Sequence, residues 1–361
     1  MFDKIASFTA LRQAALRAAK GKRRKPGAAA FLARLEPEIL ALERELLDGT
    51  WRPGGFVTFE VHDPKHRMVS AAPFRDRVVH HALCAVIGPV FERSFVHDTY
   101  ANREGKGTHA AIERYEYYRD RHRWVLRCDI YRYFPAIDHA VLKQDVSWRI
   151  RCPLTRDLTH RIIDGSNAQE PVFLHYPGDD LFEPYRRRRG LPIGNLTSQL
   201  LANVHLDPID HLVKDRLRVP GYVRYMDDFA LFHDDYRALK DIRQRVTDAL
   251  SSRRLSLHPS KTWIAPTSNP TRFLGFELFP DGRRRLPDEN VMRFRNRLRG
   301  LRDRWRAGTV DLDAVDARVL AWIAHGEHAD SWRLRSAMFR GGRFDPAATP
   351  SRRHRTLGVT S

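Results

Sequence analysis

Tyr225-Met226-Asp227-Asp228 lies between two apolar runs, Gly221-Tyr222-Val223-Arg224 and Phe229-Ala230-Leu231-Phe232. The pattern reads as strand, two-residue acidic turn, strand. Two adjacent carboxylates at a hairpin tip cannot leave water without a counter-charge, and a divalent metal ion supplies one. A second acid, Asp129, ends the apolar stretch Trp124 to Ile130. Antiparallel pairing of the two segments would bring Asp129 beside Asp227, with Asp228 as a further ligand or a support for the turn.

Composition narrows the class. The chain has 361 residues, 42% of them apolar, enough for two or three subdomains with a real core. Its net charge of +19 implies a polyanionic partner, most simply nucleic acid. No apolar run supports membrane insertion and the N-terminus lacks a signal-peptide core, so a cytoplasmic location is expected. Cys84, Cys128 and Cys152 show no Cys-x-x-Cys spacing, which argues against structural zinc and a disulfide framework. A Tyr-x-Asp-Asp hairpin in so basic a chain points to a metal-dependent nucleic-acid polymerase. Phosphoryl transfer by two metal ions needs carboxylates from separate strands meeting at one point.

Periodicity gives helices over residues 1 to 50, broken by the basic loop Lys20 to Lys25, with one helix from Phe31 to Leu47. A strand from Phe56 to Val61, a basic turn through Lys65 and Arg67, and a helix from Asp76 to Phe91 follow. Residues 166 to 190 read as an inserted loop. Thr197 to Leu206 is helical, with Pro208 kinking or restarting the helix. Tyr236 to Leu250 is an amphipathic helix, Phe273 to Leu278 a strand, and the last third helical and rich in arginine. The tail from Gly341 is expected to be disordered.

The order of motifs resembles that of reverse transcriptases. Asp129-x-x-x-x-Phe134 is followed by Tyr225-x-Asp227-Asp228, then by Leu255 to Thr262 with Lys261, then by Phe273-Leu274-Gly275-Phe276. Upstream, Phe74 to Val79 and Tyr100 to Thr108 resemble the fingers of that family. The resemblance implies an α+β right-hand polymerase with fingers, a palm of antiparallel sheet plus helices, and a helical thumb. The expected divisions are an N-terminal extension at 1–50, fingers at 51–123, palm at 124–283, thumb at 284–340 and a tail at 341–361. It implies Asp129, Asp227, Asp228 and the Ile130 main-chain carbonyl as metal ligands, for two Mg²⁺ ions that Mn²⁺ could replace. It also implies Lys65, Arg67, Phe134, Ile193, Gly194 and Lys261 around the incoming deoxynucleoside triphosphate. Phe134 is the steric gate against a ribose 2′-hydroxyl. Leu274 and Gly275, with Arg293 and Arg297, would hold primer and template.

One segment refines the resemblance. Most reverse transcriptases carry Gln-Gly-x-x-x-Ser-Pro where this chain has Ile193-Gly194-Asn195-Leu196-Thr197-Ser198-Gln199. That variant is similar to the enzymes of diversity-generating retroelements, which copy a template RNA into cDNA with errors opposite adenine. A glutamine can hydrogen-bond around a nascent base pair, whereas isoleucine has neither donor nor acceptor. Ile193 and Gln199 are therefore the expected fidelity residues. The resemblance implies a template RNA, a cDNA primer strand and a small basic accessory protein as partners. Retron, group II intron and antiphage reverse transcriptases are the alternatives, with a silent nucleic-acid-binding protein the outsider.

Overall fold

The computed structural model describes residues 1–62, 66–166 and 170–340. Lys65 and the tail from Gly341, and with them the expectations placed on them, lie outside the described residues. The chain divides into two compact units, Met1–Pro266 and the residues from Thr267 onward.

The first unit opens with four helices, α1 (Asp3–Ala6), α2 (Phe8–Ala19), α3 (Pro26–Ala33) and α4 (Leu35–Leu47). The expected helix over 31–47 is broken at Arg34, whose φ and ψ of −123° and 39° leave the helical region. The Glu43 carboxylate accepts the Phe8 N–H at 2.7 Å, satisfying a donor at the start of α2. Strands β1 (Val57–Val61) and β2 (Arg67–Ala71) form an antiparallel hairpin, and α5 (Phe74–Glu92) packs along α2. Then come α6 (Thr108–Arg119), β3 (Trp124–Asp129), α7 (Tyr133–Ala136), α8 (His139–Arg149), α9 (Pro153–Asp164), α10 (Glu183–Arg186) and α11 (Leu196–His211). The unit closes with β4 (Gly221–Tyr225), β5 (Asp228–His233), α12 (Tyr236–Ser252) and β6 (Trp263–Pro266).

The central sheet is antiparallel, in the order β4-β5-β3-β6. Side-chain alternation gives it two faces. Leu126, Cys128, Tyr222, Phe229 and Leu231 enter the main core with Leu239, Ile242, Val246 and Leu250 of α12. Val125, Arg127, Asp129, Asp228 and Phe232 share the opposite face by register. There Tyr115 and Tyr118 of α6 meet the Phe232 ring at 5.0 and 5.7 Å.

Helix α11 is buried on almost every side, so its polar residues need internal partners. His205 meets Asp145 at 2.8 Å, and Asn203 Nδ2 donates to the Ala101 carbonyl at 2.8 Å. Asp210 receives both Nε and Nη2 of Arg224, at 2.7 and 2.6 Å, and the Tyr222 hydroxyl at 2.6 Å. Pro208 does not restart the helix as a separate element; α11 runs through it, and a π-turn at Leu212–Arg216 follows.

Residues 170–190 form turns around the short α10, in keeping with a loop. Arg187 is an exception to its exposed neighbours. It is buried between Asp138 and Asp179, while Asp138 also takes a hydrogen bond from Arg254 at 2.8 Å.

The second unit holds a three-stranded antiparallel sheet, β7 (Thr271–Phe273), β8 (Phe276–Leu278) and β9 (Arg284–Arg285), and helices α13 (Asp288–Arg306), α14 (Leu312–Gly326) and α15 (Trp332–Met338). The expected single strand over 273–278 is a hairpin. Leu274 and Gly275, with φ of +47° and +89°, are its two central turn residues, the backbone signs of a type I′ turn. Phe294 of α13 stacks on Trp322 of α14 at 4.2 Å. Val291, Phe294, Leu298 and Leu301 are buried, whereas Trp305 is 40% exposed.

Arg224 and Asp210 are both fully enclosed, so removing one partner strands the other's charge. Arg224→Met should lower unfolding free energy by about 3–5 kcal/mol in urea titrations, and combining it with Asp210→Leu should restore most of the loss.

Candidate active site

The acidic hairpin has the expected two-residue turn, shifted by one residue toward the N-terminus. Tyr225 pairs with Asp228, so the two turn residues are Met226 and Asp227, and Asp228 is the first residue of β5. Met226 takes φ +59°, a conformation glycine adopts more readily. Arg224 Nη1 donates to the Met226 carbonyl at 3.1 Å, and Ile130 N–H donates to the Asp227 carbonyl at 3.2 Å. Both ends of the turn are thereby tied to neighbouring chain.

Asp129 is the last residue of β3 and stands directly opposite Asp228. The three aspartates differ in their counter-charges. Asp228 accepts two hydrogen bonds from Arg127 Nη2, at 2.7 and 3.0 Å. Asp129 receives Lys261 Nζ on both oxygens, at 3.0 and 3.1 Å. Asp227 has neither cation in hydrogen-bond contact. Crowding of its carboxyl by protein, together with the charges of Asp129 and Asp228, pushes its pKa up to about 6. This under-neutralised carboxylate beside two others is an electrostatic deficit that divalent cations fit. Among the described residues, the ligand atoms of Glu60, His62 and His66 all lie within 4.8 Å of one another; the three aspartates do not form such a group.

Lys261, expected around the incoming triphosphate, therefore sits on the carboxylate of Asp129. Arg127 was not singled out from sequence. The signal was available, since a cation inside the apolar strand Trp124-Val125-Leu126-Arg127-Cys128-Asp129 requires a buried acid. Arg224, in Gly221-Tyr222-Val223-Arg224-Tyr225, carried the same signal. Despite burial, the Asp228 charge holds the Arg127 guanidinium firmly protonated, and Asp210 does the same for Arg224. Cys128, between Arg127 and Asp129, is buried, and loss of water pushes its thiol pKa well up.

Phe134 lies in α7, half-buried, in edge contact with the Tyr133 ring at 5.6 Å. Its carbonyl accepts the Leu191 N–H at 2.9 Å, which joins the segment after Asp129 to the one before Ile193. Residues 193 to 195 are stitched to β2. Ser70 N–H donates to the Ile193 carbonyl at 3.2 Å, and Asn195 bridges the Ser70 carbonyl and the Ala72 N–H. Gly194 has φ +109°, and a Cβ there would fall 2.9 Å from Val69 Cγ1, so both backbone and space demand glycine.

Gln199 lines a cavity of about 580 Å³ with Lys22, Lys25, Phe59, Arg77 and His80. The basic loop of the N-terminal extension thus shares a cavity with a candidate fidelity residue, a juxtaposition no local motif encodes. His80 and His81 of α5 also line it. His80 is 3% exposed and held neutral, its pKa lowered to about 4 by burial and nearby positive charge. Arg67 is exposed at the start of β2. Leu274, Gly275, Arg293 and Arg297 belong to the second unit, where both arginines are exposed on α13.

The Asp227 pKa fixes the sign of a stability effect. An unfolded aspartate titrates near ~3.9, so between about pH 4 and pH 6 the ionised form becomes progressively unfavourable to folding, and the cost is complete above pH 6. Asp227→Asn should therefore raise metal-free stability at pH 8 by on the order of 1–2 kcal/mol and leave it nearly unchanged at pH 4, as read by urea melts in chelator.

Comparison with known proteins places this geometry. The family model described as "Reverse transcriptase (RNA-dependent DNA polymerase)" matches residues 61–278. Protein YkfC of Escherichia coli K12 is 25% identical over 288 residues, covering 68% of this chain and 72% of YkfC. The group II intron-encoded protein LtrA of Lactococcus lactis is 20% identical over 312 residues, covering 67% of this chain but only 50% of LtrA. Among solved structures, the apo telomerase of Candida tropicalis aligns at a TM-score of 0.45 and 9% identity, over 65% of this chain and 49% of that one. That likeness is remote and nothing here rests on it. The family match spans more than half of the sequence and contains every aspartate of the hairpin site: the chain belongs to the reverse transcriptase family.

Proposed function

We propose that this chain copies a template RNA into cDNA, with Asp129, Asp227 and Asp228 as the catalytic acids. The observation that carries the reading is the pairing of Asp129 with Asp228 across β3 and β5, beside the under-neutralised Asp227. Asp129 and Asp227, with the Ile130 carbonyl, would hold two Mg²⁺ ions, for which Mn²⁺ could substitute. Bound there, they would lower the pKa of the primer 3′-hydroxyl and offset charge on the triphosphate and leaving group. Arg127 fixes the rotamer of Asp228, which makes Asp228 the support of the turn more than a free ligand. Lys261 neutralises Asp129 in the resting chain and is placed to pass to an arriving phosphate.

The remaining roles follow the same reading. Arg67, with Lys65, would hold the triphosphate; Phe134 would exclude the 2′-hydroxyl; Gly194 would let the backbone approach the nucleotide. Arg293 and Arg297 on α13 would grip the template-primer backbone, and the Leu274-Gly275 turn would meet the primer. Residues 51–123 serve as fingers, 124–283 as palm and 284–340 as thumb. No helix among the described residues is long and apolar enough to cross a membrane. A cytoplasmic location accords with the three free cysteines.

The finer proposal is a diversity-generating enzyme, error-prone at template adenine and served by a small basic accessory protein. Ile193 in place of glutamine, changed together with Gln199, supports it. The similarity to LtrA, a group II intron-encoded protein, supports a second reading, a group II-like reverse transcriptase, beside which a defence enzyme is the remaining alternative.

Sequencing of cDNA made by the purified chain with Mg²⁺ and its cognate RNA separates these. Errors concentrated opposite adenine are expected, and Ile193→Gln should reduce them severalfold; a uniform, low error spectrum would transfer the protein to the second reading. Asp227→Asn should reduce primer extension at least a thousandfold with RNA affinity retained. Phe134→Ala should admit ribonucleotides, read as a rise of at least tenfold in ribonucleotide over deoxynucleotide kcat/KM.

A further inference from the structure

The end of α8, the chain leaving it and the end of α5 enclose a cleft of about 550 Å³. Its lining contains Arg93, Arg149, Arg151 and Trp148, with no carboxylate. Trp148 is 81% exposed, more than any other large apolar side chain among the described residues. Of the neighbouring acids, Asp145 holds His205 and Arg253, while Asp207 takes the Ser94 hydroxyl, lies 3.5 Å from His211 and is within electrostatic reach of Arg149, which leaves Arg151 as the arginine with no acid beside it in the lining.

Helix ends account for part of this charge. Carbonyls at a helix C-terminus attract cations. Arg93 Nε donates to the Pro89 carbonyl at 3.2 Å in the last turn of α5, and Arg149 is the last residue of α8. Neither consideration explains Arg151, which lies beyond the helix, or an indole left in water beside three guanidinium groups. A planar aromatic surface flanked by arginines has the chemistry that recognises unpaired nucleotides. The base stacks on the ring, and the phosphates on either side take paired N–H donors.

We propose that this cleft is an RNA anchor, separate from the aspartate site, in which an unpaired base stacks on Trp148 and the adjoining phosphates engage Arg149 and Arg151. The inference rests on the reading of the chain as an enzyme that copies RNA. It gives the template a second hold, so that RNA is retained while another part of it is copied. The surface fits nucleic acid and not a basic accessory protein, which would meet like charge here.

The test uses the full chain and two probes. One is a fluorescein-labelled unstructured RNA several tens of nucleotides long; the other is a short pre-annealed DNA primer on RNA template that fills only the aspartate cleft. Trp148→Ala and Arg151→Glu should each weaken binding of the long RNA about tenfold. Trp148→Phe should keep affinity within about twofold, since a phenyl ring still stacks. Extension of the short primer-template should be unchanged in all three, and Arg151→Glu should flatten the dependence of affinity on salt. Ultraviolet crosslinking of the long RNA should label the peptide bearing Trp148. Unchanged long-RNA affinity in both Trp148→Ala and Arg151→Glu would overturn the proposal. So would equal losses in Trp148→Ala and Trp148→Phe, or loss of a protein partner at constant RNA affinity. Failure of the unmodified chain to extend the short primer would instead overturn the polymerase reading, while the binding measurements would still decide the anchor.

Discussion

The enclosed ion pair between Arg224 and Asp210 is the constraint on which the site depends. A guanidinium in the middle of an apolar strand has no water to solvate it, so its position is dictated by the acid that neutralises it. Asp210 supplies both oxygens, and the remaining donor of Arg224 reaches past its own strand to the Met226 carbonyl. The same side chain thus fastens β4 to α11 and fixes the turn that presents Asp227. Tyr222 adds a third donor to Asp210, so three of its roughly four acceptor sites are filled.

Alternation in the strands then separates two kinds of charge. Arg224 lies on the core face and does structural work, while Arg127, Asp129 and Asp228 lie on the other, where the two aspartates keep access to solvent and Arg127 is buried beneath Asp228. A slip of one residue in the β3–β5 register would exchange these sets and bury the aspartates. Helix α11 links the two regions that a nucleotide site would need. Gln199 stands in its first turn, beside the segment stitched to β2, and Asp210 near its end, so that one rigid element of roughly 24 Å carries both.

Much of this was legible before any coordinates. The antiparallel meeting of the strands that carry Asp129 and the Asp227-Asp228 pair was legible because each is a short apolar run that meets an acid at its end. The hairpin turn was misplaced by one residue because Met226, not an aspartate, takes the positive φ, and methionine carries no turn signal. The strand expected at 273–278 failed for a related reason: Leu274 looks like a strand residue, and only the register of Phe273 opposite Phe276 reveals the turn. Arg127 and Arg224 carry no motif of their own, and their acids, Asp228 and Asp210, lie on other elements, so only the fold reveals the pairings. The cavity joining Gln199 to Lys22 and Lys25 depends on elements far apart in sequence, and no periodicity encodes that meeting.

Cys128 occupies the core face of the same strand whose neighbouring residues carry the site's charges. Its thiol is both enclosed and strongly held in the protonated form. Thiolate is the species that oxidants and alkylating agents attack, and it must be reached from solvent. The strand that bears Asp129 therefore carries sulfur without carrying a redox liability. Oxidants would find Cys152, only partly covered and with its thiol pKa lowered by hydrogen bonding to Thr155, before they found the strand of Asp129.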